Sequence, residues 1–186
     1  MMKKSLLVLA IGALCSLTAS ANFYVQGDLG VAKTKFSSYS EMNKTNIVPN
    51  VSVGYDLGAM RLALDYTHYG KFSGTSYFGV NQKEHVSTKI YGLGLSAFYD
   101  FNINSVLKPY VGMRLASNIF DIENKGSNFF RSEKTTKLGY GFIAGAQYGL
   151  MTNLFVNGGI EYNRLGRFSD TSVNQYGAKV GLRYDF

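Results

Sequence analysis

The sequence predicts an all-β fold: an eight-stranded antiparallel up-and-down transmembrane β-barrel with long extracellular loops and short periplasmic turns. The segment Val173 to Phe186 shows why. Asn174, Tyr176, Ala178, Val180, Leu182, Tyr184 and Phe186 fall on one face, and Gln175, Gly177, Lys179, Gly181, Arg183 and Asp185 on the other. A strand so divided lies between two different solvents, and aromatic residues at its end suit a lipid-facing girdle better than a packed core. About seven further segments repeat the pattern, joined by connections that alternate long and short, as a membrane barrel requires. Past the N-terminal segment no stretch approaches about eighteen apolar residues, which excludes membrane-spanning helices. The 14 tyrosines, 13 phenylalanines and 21 glycines against 2 prolines fit many strands and few helices.

Residues 1–21 read as an export signal: Lys3 and Lys4 precede the apolar run Leu6 to Leu17, and Ala19-Ser20-Ala21 supplies small residues for cleavage. One barrel domain is then expected over 22–186. Cys15 is the one cysteine. It follows the bulky Leu14, so it is not read as a lipid-anchor site, and it leaves with the signal. Disulfides, zinc knuckles and thiol nucleophiles are thereby excluded from the mature chain. No linker, low-complexity tract or exact internal repeat stands out.

The first strand, Phe23 to Ala32, sends Phe23, Val25, Leu29 and Val31 outward and Tyr24, Gln26 and Asp28 inward, and a polar stretch follows from Lys33 to Asn46. The second, Ile47 to Asp56, points Val51, Val53 and Tyr55 out; Pro49 sits near its start, where a missing N–H is tolerable. After a tight turn through Leu57, Gly58 and Ala59, the third strand, Met60 to Tyr69, turns Leu62, Leu64 and Tyr66 out and Arg61, Asp65 and Thr67 in. A loop is expected from Gly70 to about Val86. The fourth strand, Thr88 to Phe101, alternates Tyr91, Leu93, Leu95, Ala97 and Tyr99 against Gly92, Gly94, Ser96 and Asp100. A short turn, Asn102 to Val106, leads to the fifth, where Val111, Met113 and Leu115 oppose Tyr110, Gly112 and Arg114. The longest polar segment, Ser117 to Thr136, precedes the sixth strand, Lys137 to Tyr148. The seventh sets Leu154, Val156, Ile160 and Tyr162 against Asn157, Gly159, Glu161 and Asn163, and a loop from Arg164 to Ser172 leads into the last strand. Closing an even number of strands removes the edges that lipid cannot hydrogen-bond.

Glycine tests this register. Gly54, Gly92, Gly94, Gly112, Gly139, Gly141, Gly145, Gly159, Gly177 and Gly181 all fall inward, with Gly27 and Gly158 as exceptions. Chance would put about half outward. The inward charges Asp28, Arg61, Asp65, Arg114, Glu161, Lys179 and Arg183 are expected to fill a narrow barrel as paired groups rather than line a pore. Asp28 with Lys179 or Arg183 is the first candidate pair, across the closing strands. A narrow small-solute porin is the competing reading.

The expected loops are net positive. Lys71, Lys83, Lys125, Arg131 and Lys134 are the candidate partner-binding residues, interleaved with Tyr39, Phe72, Tyr77, Phe78, Phe129 and Phe130. Such a surface suits outer-membrane lipid and lipopolysaccharide phosphates, a sulfated polysaccharide or an acidic protein patch, and nucleic acid is not expected in this compartment. An enzyme reading rests on His85 and Ser87, which share a strand face near the upper lipid boundary, as in a lipid-modifying barrel esterase. No carboxylate is placed to orient the imidazole: Glu84 points the other way. His68 reads as a girdle residue. No catalytic residue, cofactor or metal site is therefore expected.

The strands also carry a family likeness. Tyr24-Val25-Gln26-Gly27-Asp28-Leu29, Pro49 to Asp56, Leu93 to Phe101, Lys108-Pro109-Tyr110-Val111-Gly112 and Gly181-Leu182-Arg183-Tyr184 resemble the opacity (Opa) family of Gram-negative outer membranes. Lys179, Gly181, Tyr184 and Phe186 resemble the C-terminal signal read by the outer-membrane assembly machinery. The likeness implies an eight-stranded barrel, of porin descent, that displays loops at the cell surface and in pathogens acts as an adhesin toward host receptors or heparan sulfate. No loop residue carries over, because Gly70 to Val86 and Ser117 to Thr136 are shorter than the family's hypervariable loops.

Overall fold

The structure is a computed structural model describing residues 22–37, 43–77, 83–103, 106–125, 130–168 and 171–186. The expected signal, 1–21, lies outside them. Strands β1 (Phe23–Phe36), β2 (Lys44–Asp56), β3 (Met60–Tyr77), β4 (Lys83–Asp100), β5 (Leu107–Lys125), β6 (Phe130–Met151), β7 (Leu154–Phe168) and β8 (Thr171–Asp185) form a closed barrel. Each pairs antiparallel with its neighbours in the chain, and β8 returns to β1, with Val25 opposite Tyr184.

Alternation sets the faces as expected. Leu29, Val51, Leu64, Leu95, Met113, Ile160 and Val180 point outward and are all more than half exposed, while Asp28, Asp65, Arg114 and Arg183 between them are buried. A continuous exposed apolar band of this kind belongs against hydrocarbon, not water. The inward glycines make room for the filling. A Cβ on Gly94 would meet Arg114 Nε and Asp65 Oδ2 at 2.6 Å, and one on Gly177 would meet Ala32 Cβ at 2.7 Å. Gly58, at the tight periplasmic turn, holds φ +94°.

The expected extracellular loops are largely strand. Gly70 to Val86 continues β3 to Tyr77 and resumes in β4 at Lys83, Ser117 to Thr136 is mostly β5 and β6, and Arg164 to Ser172 is mostly β7 and β8. Pro49 therefore sits inside β2, not near its start. It stands where the β2–β3 ladder ends, just above the pair Asn50 with Thr67, so the missing N–H leaves no bond unmade on that side. Above this level β2 stays with β1, up to Lys44 opposite Thr34. Likewise β6 leaves β7 above Tyr140 and Arg164, yet stays with β5 up to Phe130 opposite Lys125. Among the described residues the upper part is thus two sheets, β3–β4–β5–β6 and β7–β8–β1–β2.

A bulge stands at each seam. The register shifts between His68 and Gly70 in β3 and between Arg164 and Gly166 in β7. Gly70 adopts φ +106°, a conformation that L side chains avoid. The extra residue inverts the face parity: Thr67 and Tyr69 point inward, and so does Phe72 beyond the bulge, while Lys71 turns out. Asn118 Nδ2 donates to the Leu165 carbonyl at 2.8 Å, replacing a ladder bond lost there.

Candidate functional site

From the periplasmic end upward, the lumen is filled in layers. Arg183 donates to Asp56 and Asp185 and to Gln147 at the mouth. Next, Arg61 places its fork on Asp100, at 2.6 and 2.7 Å, between the rings of Phe98 and Tyr110. At mid-height Arg114 holds Asp65 through Nε and Nη2 and also reaches Tyr69 Oη; Asp65 further accepts from Asn50, Thr67 and Ser96. Lys179 lies 3.6 Å from both Asp28 and Glu161. Of the two partners considered for Asp28, Lys179 is the one brought to it, and Arg183 goes elsewhere. The cavity left between Tyr24, Asp65, Arg114 and Lys179 is about 20 Å³, room for about one water.

Above the charges the lumen is mainly apolar, with Thr34, Asn118 and Gln175 buried within it. Ala32, Val48, Tyr69, Phe72, Ile90, Phe120, Leu165 and Val173 form a buried cluster, with Phe36 and Phe168 against it. Edge-to-face ring pairs, Phe36 with Phe72 and Phe120 with Phe168, bridge the two sheets. Phe72, expected among the loop aromatics, is 1% exposed and belongs to this core.

At the outer rim Lys71 and Lys134 project from strand faces rather than from loops. Lys134 lies 3.8 Å from Asp121. Lys89 donates to Glu123 at 3.0 Å, and that hydrogen bond raises the ammonium pKa above its ordinary value. The side chains of Lys83, Lys125, Arg131 and His85 lie outside the described residues, as do Tyr39, Phe78 and Phe129 and the side chains of Tyr77 and Phe130. In the backbone register Lys83 and Lys125 occupy the last rungs of their hairpins, opposite Tyr77 and Phe130. Ser87 is 7% exposed, its hydroxyl has no hydrogen-bond partner among the described residues, and the glutamate facing it, Glu123, is engaged by Lys89.

This closed, filled barrel has known counterparts. Residues 53–186 match the family described as Opacity family porin protein, and Protein opa of Haemophilus influenzae is 50% identical over 134 residues, 72% of this chain and 100% of that protein. The chain belongs to the Opacity family. Neisserial surface protein A, a solved structure, superimposes with a TM-score of 0.69 at 30% identity, covering 88% of this chain and 97% of its own. Ail, the attachment invasion locus protein of Yersinia pestis, solved with the heparin analogue sucrose octasulfate, has the same fold at 16% identity and a TM-score of 0.56, covering 89% and 99%. This opacity-family barrel is therefore integral to the outer membrane.

Several residues that shape the opacity-family lumen escape a reading of the sequence alone. Alternation places Asp100 inward, but its pairing with Arg61 joins positions far apart in sequence that only the β3–β4 register brings together. Asp56 and Asp185 close the mouth from strand ends; alternation puts Asp185 inward but does not show that both meet Arg183. Leu165 and Phe120 lie in segments that read as polar loops. The signal available for them is a second run of alternation, Phe120, Ile122 and then Thr136, Leu138, interrupted by too many polar residues to count as membrane strand.

Proposed function

We propose that this opacity-family barrel is a non-catalytic display protein: it is exported through removal of residues 1–21, is assembled through the Phe186 strand, and holds hairpin tips above the membrane for adhesion. One observation carries this reading. The strands run on past the tyrosines at the lipid boundary, by about 20 Å along β5 from Ile119 to Lys125 at 3.3 Å per residue. They do so as two sheets closed over an apolar core. That is a platform for presenting tips, and among the described residues it leaves no water path for a solute.

The tips carry Lys83, Lys125 and Arg131, with Lys134 lower down, a cationic set suited to a sulfated polysaccharide or an acidic host receptor. The interior pairs around Asp65 and Lys179 act as filling. The test is retention of the purified folded protein on immobilised heparin, and on host cells, against a variant with Lys83, Lys125 and Arg131 all changed to Gln. Retention that falls with salt and is lost in the variant supports the reading. Equal retention of the variant overturns the role of the tips. For catalysis, Ser87→Ala is expected to leave the lipid A mass spectrum unchanged, and an altered spectrum would remove the non-catalytic reading.

A further inference from the structure

Short stretches of β4 and β8 are near-copies, visible once strands are aligned by structure. Tyr91-Gly92 and Tyr99-Asp100-Phe101 of β4 recur at the same spacing as Tyr176-Gly177 and Tyr184-Asp185-Phe186 of β8. The copies bond alike. Asp100 N donates to the Ala59 carbonyl and Asp185 N to that of Asn153, both at 2.9 Å; Phe101 N reaches Pro109 and Phe186 N reaches Phe23, also at 2.9 Å. The ring pairs Tyr99–Phe101 and Tyr184–Phe186 match at 5.1 and 5.3 Å, with interplanar angles of 81° and 82°. Register agrees too: Tyr99 faces Val111 as Tyr184 faces Val25.

The likeness extends to β3 and β7 at the outer rim, though not to their cross-strand register: Tyr66 faces Leu93, while Tyr162 faces Tyr176. Tyr66-Thr67-His68-Tyr69-Gly70-Lys71-Phe72 of β3 lines up with Tyr162-Asn163-Arg164-Leu165-Gly166-Arg167-Phe168 of β7, each spanning its bulge. Below each bulge two tyrosines of adjacent strands meet at a tilt: Tyr66 with Tyr91 at 6.3 Å and 40°, Tyr162 with Tyr176 at 5.1 Å and 45°. Above each pair stand outward cations. On one side Lys71 lies directly opposite Lys89 in the ladder, a like-charge pairing that costs stability unless an anion answers it. Glu123 serves Lys89 and Asp121 faces it across the β4–β5 ladder, while no carboxylate among the described residues contacts Lys71. On the other side Arg164 and Lys35 flank Asn174 in register. Lys35 sits 5.7 Å over the Tyr176 ring, and Arg164 donates to Ser172 Oγ. No acidic residue faces outward on β7, β8 or β1 among the described residues.

We propose that these are two glycolipid sites on opposite sides of the barrel, alike in kind though their cations stand at different positions, each taking a phosphate of an outer-leaflet phosphoglycolipid on its cations and the sugar edge on its tyrosine pair. The position selects the ligand. Tyrosines of this kind lie at headgroup depth, and cations one step above them stand level with lipid phosphates, not with a soluble chain at the tips. The inference rests on the outer-membrane placement and is independent of the adhesion reading. Among the described residues the site of Arg164 and Lys35 has no acidic neighbour to offset its charge, so it is expected to be the tighter of the two.

The test is native mass spectrometry of the full folded chain in detergent with bisphosphorylated lipid A, dephosphorylated lipid A and inorganic phosphate. Two bound lipid A molecules are expected, with binding weakened by dephosphorylation and not competed by millimolar phosphate. The double variants Lys71→Gln/Lys89→Gln and Arg164→Gln/Lys35→Gln should each weaken one site roughly 30-fold, from about 1 kcal/mol per basic group, and leave the other. Arg164→Lys keeps the charge and should keep the lipid, and the heat-shifted gel mobility of folded barrel checks that each variant is assembled. Equal binding of dephosphorylated lipid A, full competition by phosphate, or two lipids retained at wild-type strength by either double variant overturns the proposal.

Discussion

Below the tyrosine girdle the barrel is charged inside and apolar outside, and above it the arrangement inverts, with Phe72, Ile90, Phe120 and Val173 inside and Lys71, Lys89, Asp121 and Lys134 outside. The same eight strands serve both zones. What changes is the solvent on the outer face: hydrocarbon rejects polar groups and sends them to the lumen, whereas water accepts them and drives apolar groups to the centre. The bulges at Gly70 and at Leu165-Gly166 make the exchange on β3 and β7, because one extra residue swaps every later side chain to the other face.

The largest expected effect tests the charged zone. Arg114→Leu strands Asp65 in the lumen without its cation and is expected to cost roughly 3–5 kcal/mol in vesicle-bound urea unfolding. Adding Asp65→Leu should recover much of that loss, because the apolar pair leaves no charge behind; no recovery would mean that the pair is not the unit. Next, Leu165→Ala opens a cavity in the projecting core and should cost about 2–5 kcal/mol. Here the readout is local. Amide exchange should accelerate in β7 and β3 above the girdle while amides beside Asp65 stay protected. Acceleration throughout would show that the zones are one cooperative unit.

Legibility in the sequence follows the same division. In the lipid zone each strand alternates without interruption, as Tyr91 to Phe101 does, because every outward position must be apolar. Strand order, faces and inward glycines can therefore be read directly. In the projecting zone water tolerates Thr136 or Ser73 outside, and the bulges break the period, so strand reads as loop. The ion pairs need register: adjacency makes Lys179 a legible partner for Asp28 and leaves Asp100 open to Arg61, but only the pairing of rungs decides among the inward charges. The paired tyrosines and cations of the rim are hidden because β3 and β7 line up only when compared across their bulges.

A smaller effect sharpens where the inversion is set. Gly70→Ala forces a side chain into φ +106° and brings its methyl within 2.6 Å of Asn46 Nδ2, at a cost of about 1–3 kcal/mol. If the bulge sets the parity, the strain relaxes by removing it, which turns Phe72 outward. A cysteine at position 72 in the Gly70→Ala background should then react with a water-soluble maleimide, where the same cysteine in the native background stays protected. Protection in both would mean that the core, not the glycine, dictates the face.

The smallest effect belongs to the wet outer surface of the projecting zone. Lys134 is 64% exposed and meets Asp121 at 3.8 Å, so Lys134→Gln should change unfolding by about 0–1 kcal/mol and less at high salt. The contrast with Arg114 is the point of the measurement. Both residues pair with an aspartate across the same sheet, yet one carboxylate lies in the lumen beside room for about one water and the other is rehydrated by bulk solvent as soon as the lysine goes. A loss at Lys134 comparable with that at Arg114 would mean that the projecting face is not open to water, and the inversion argued from the solvent on each side would have no cause.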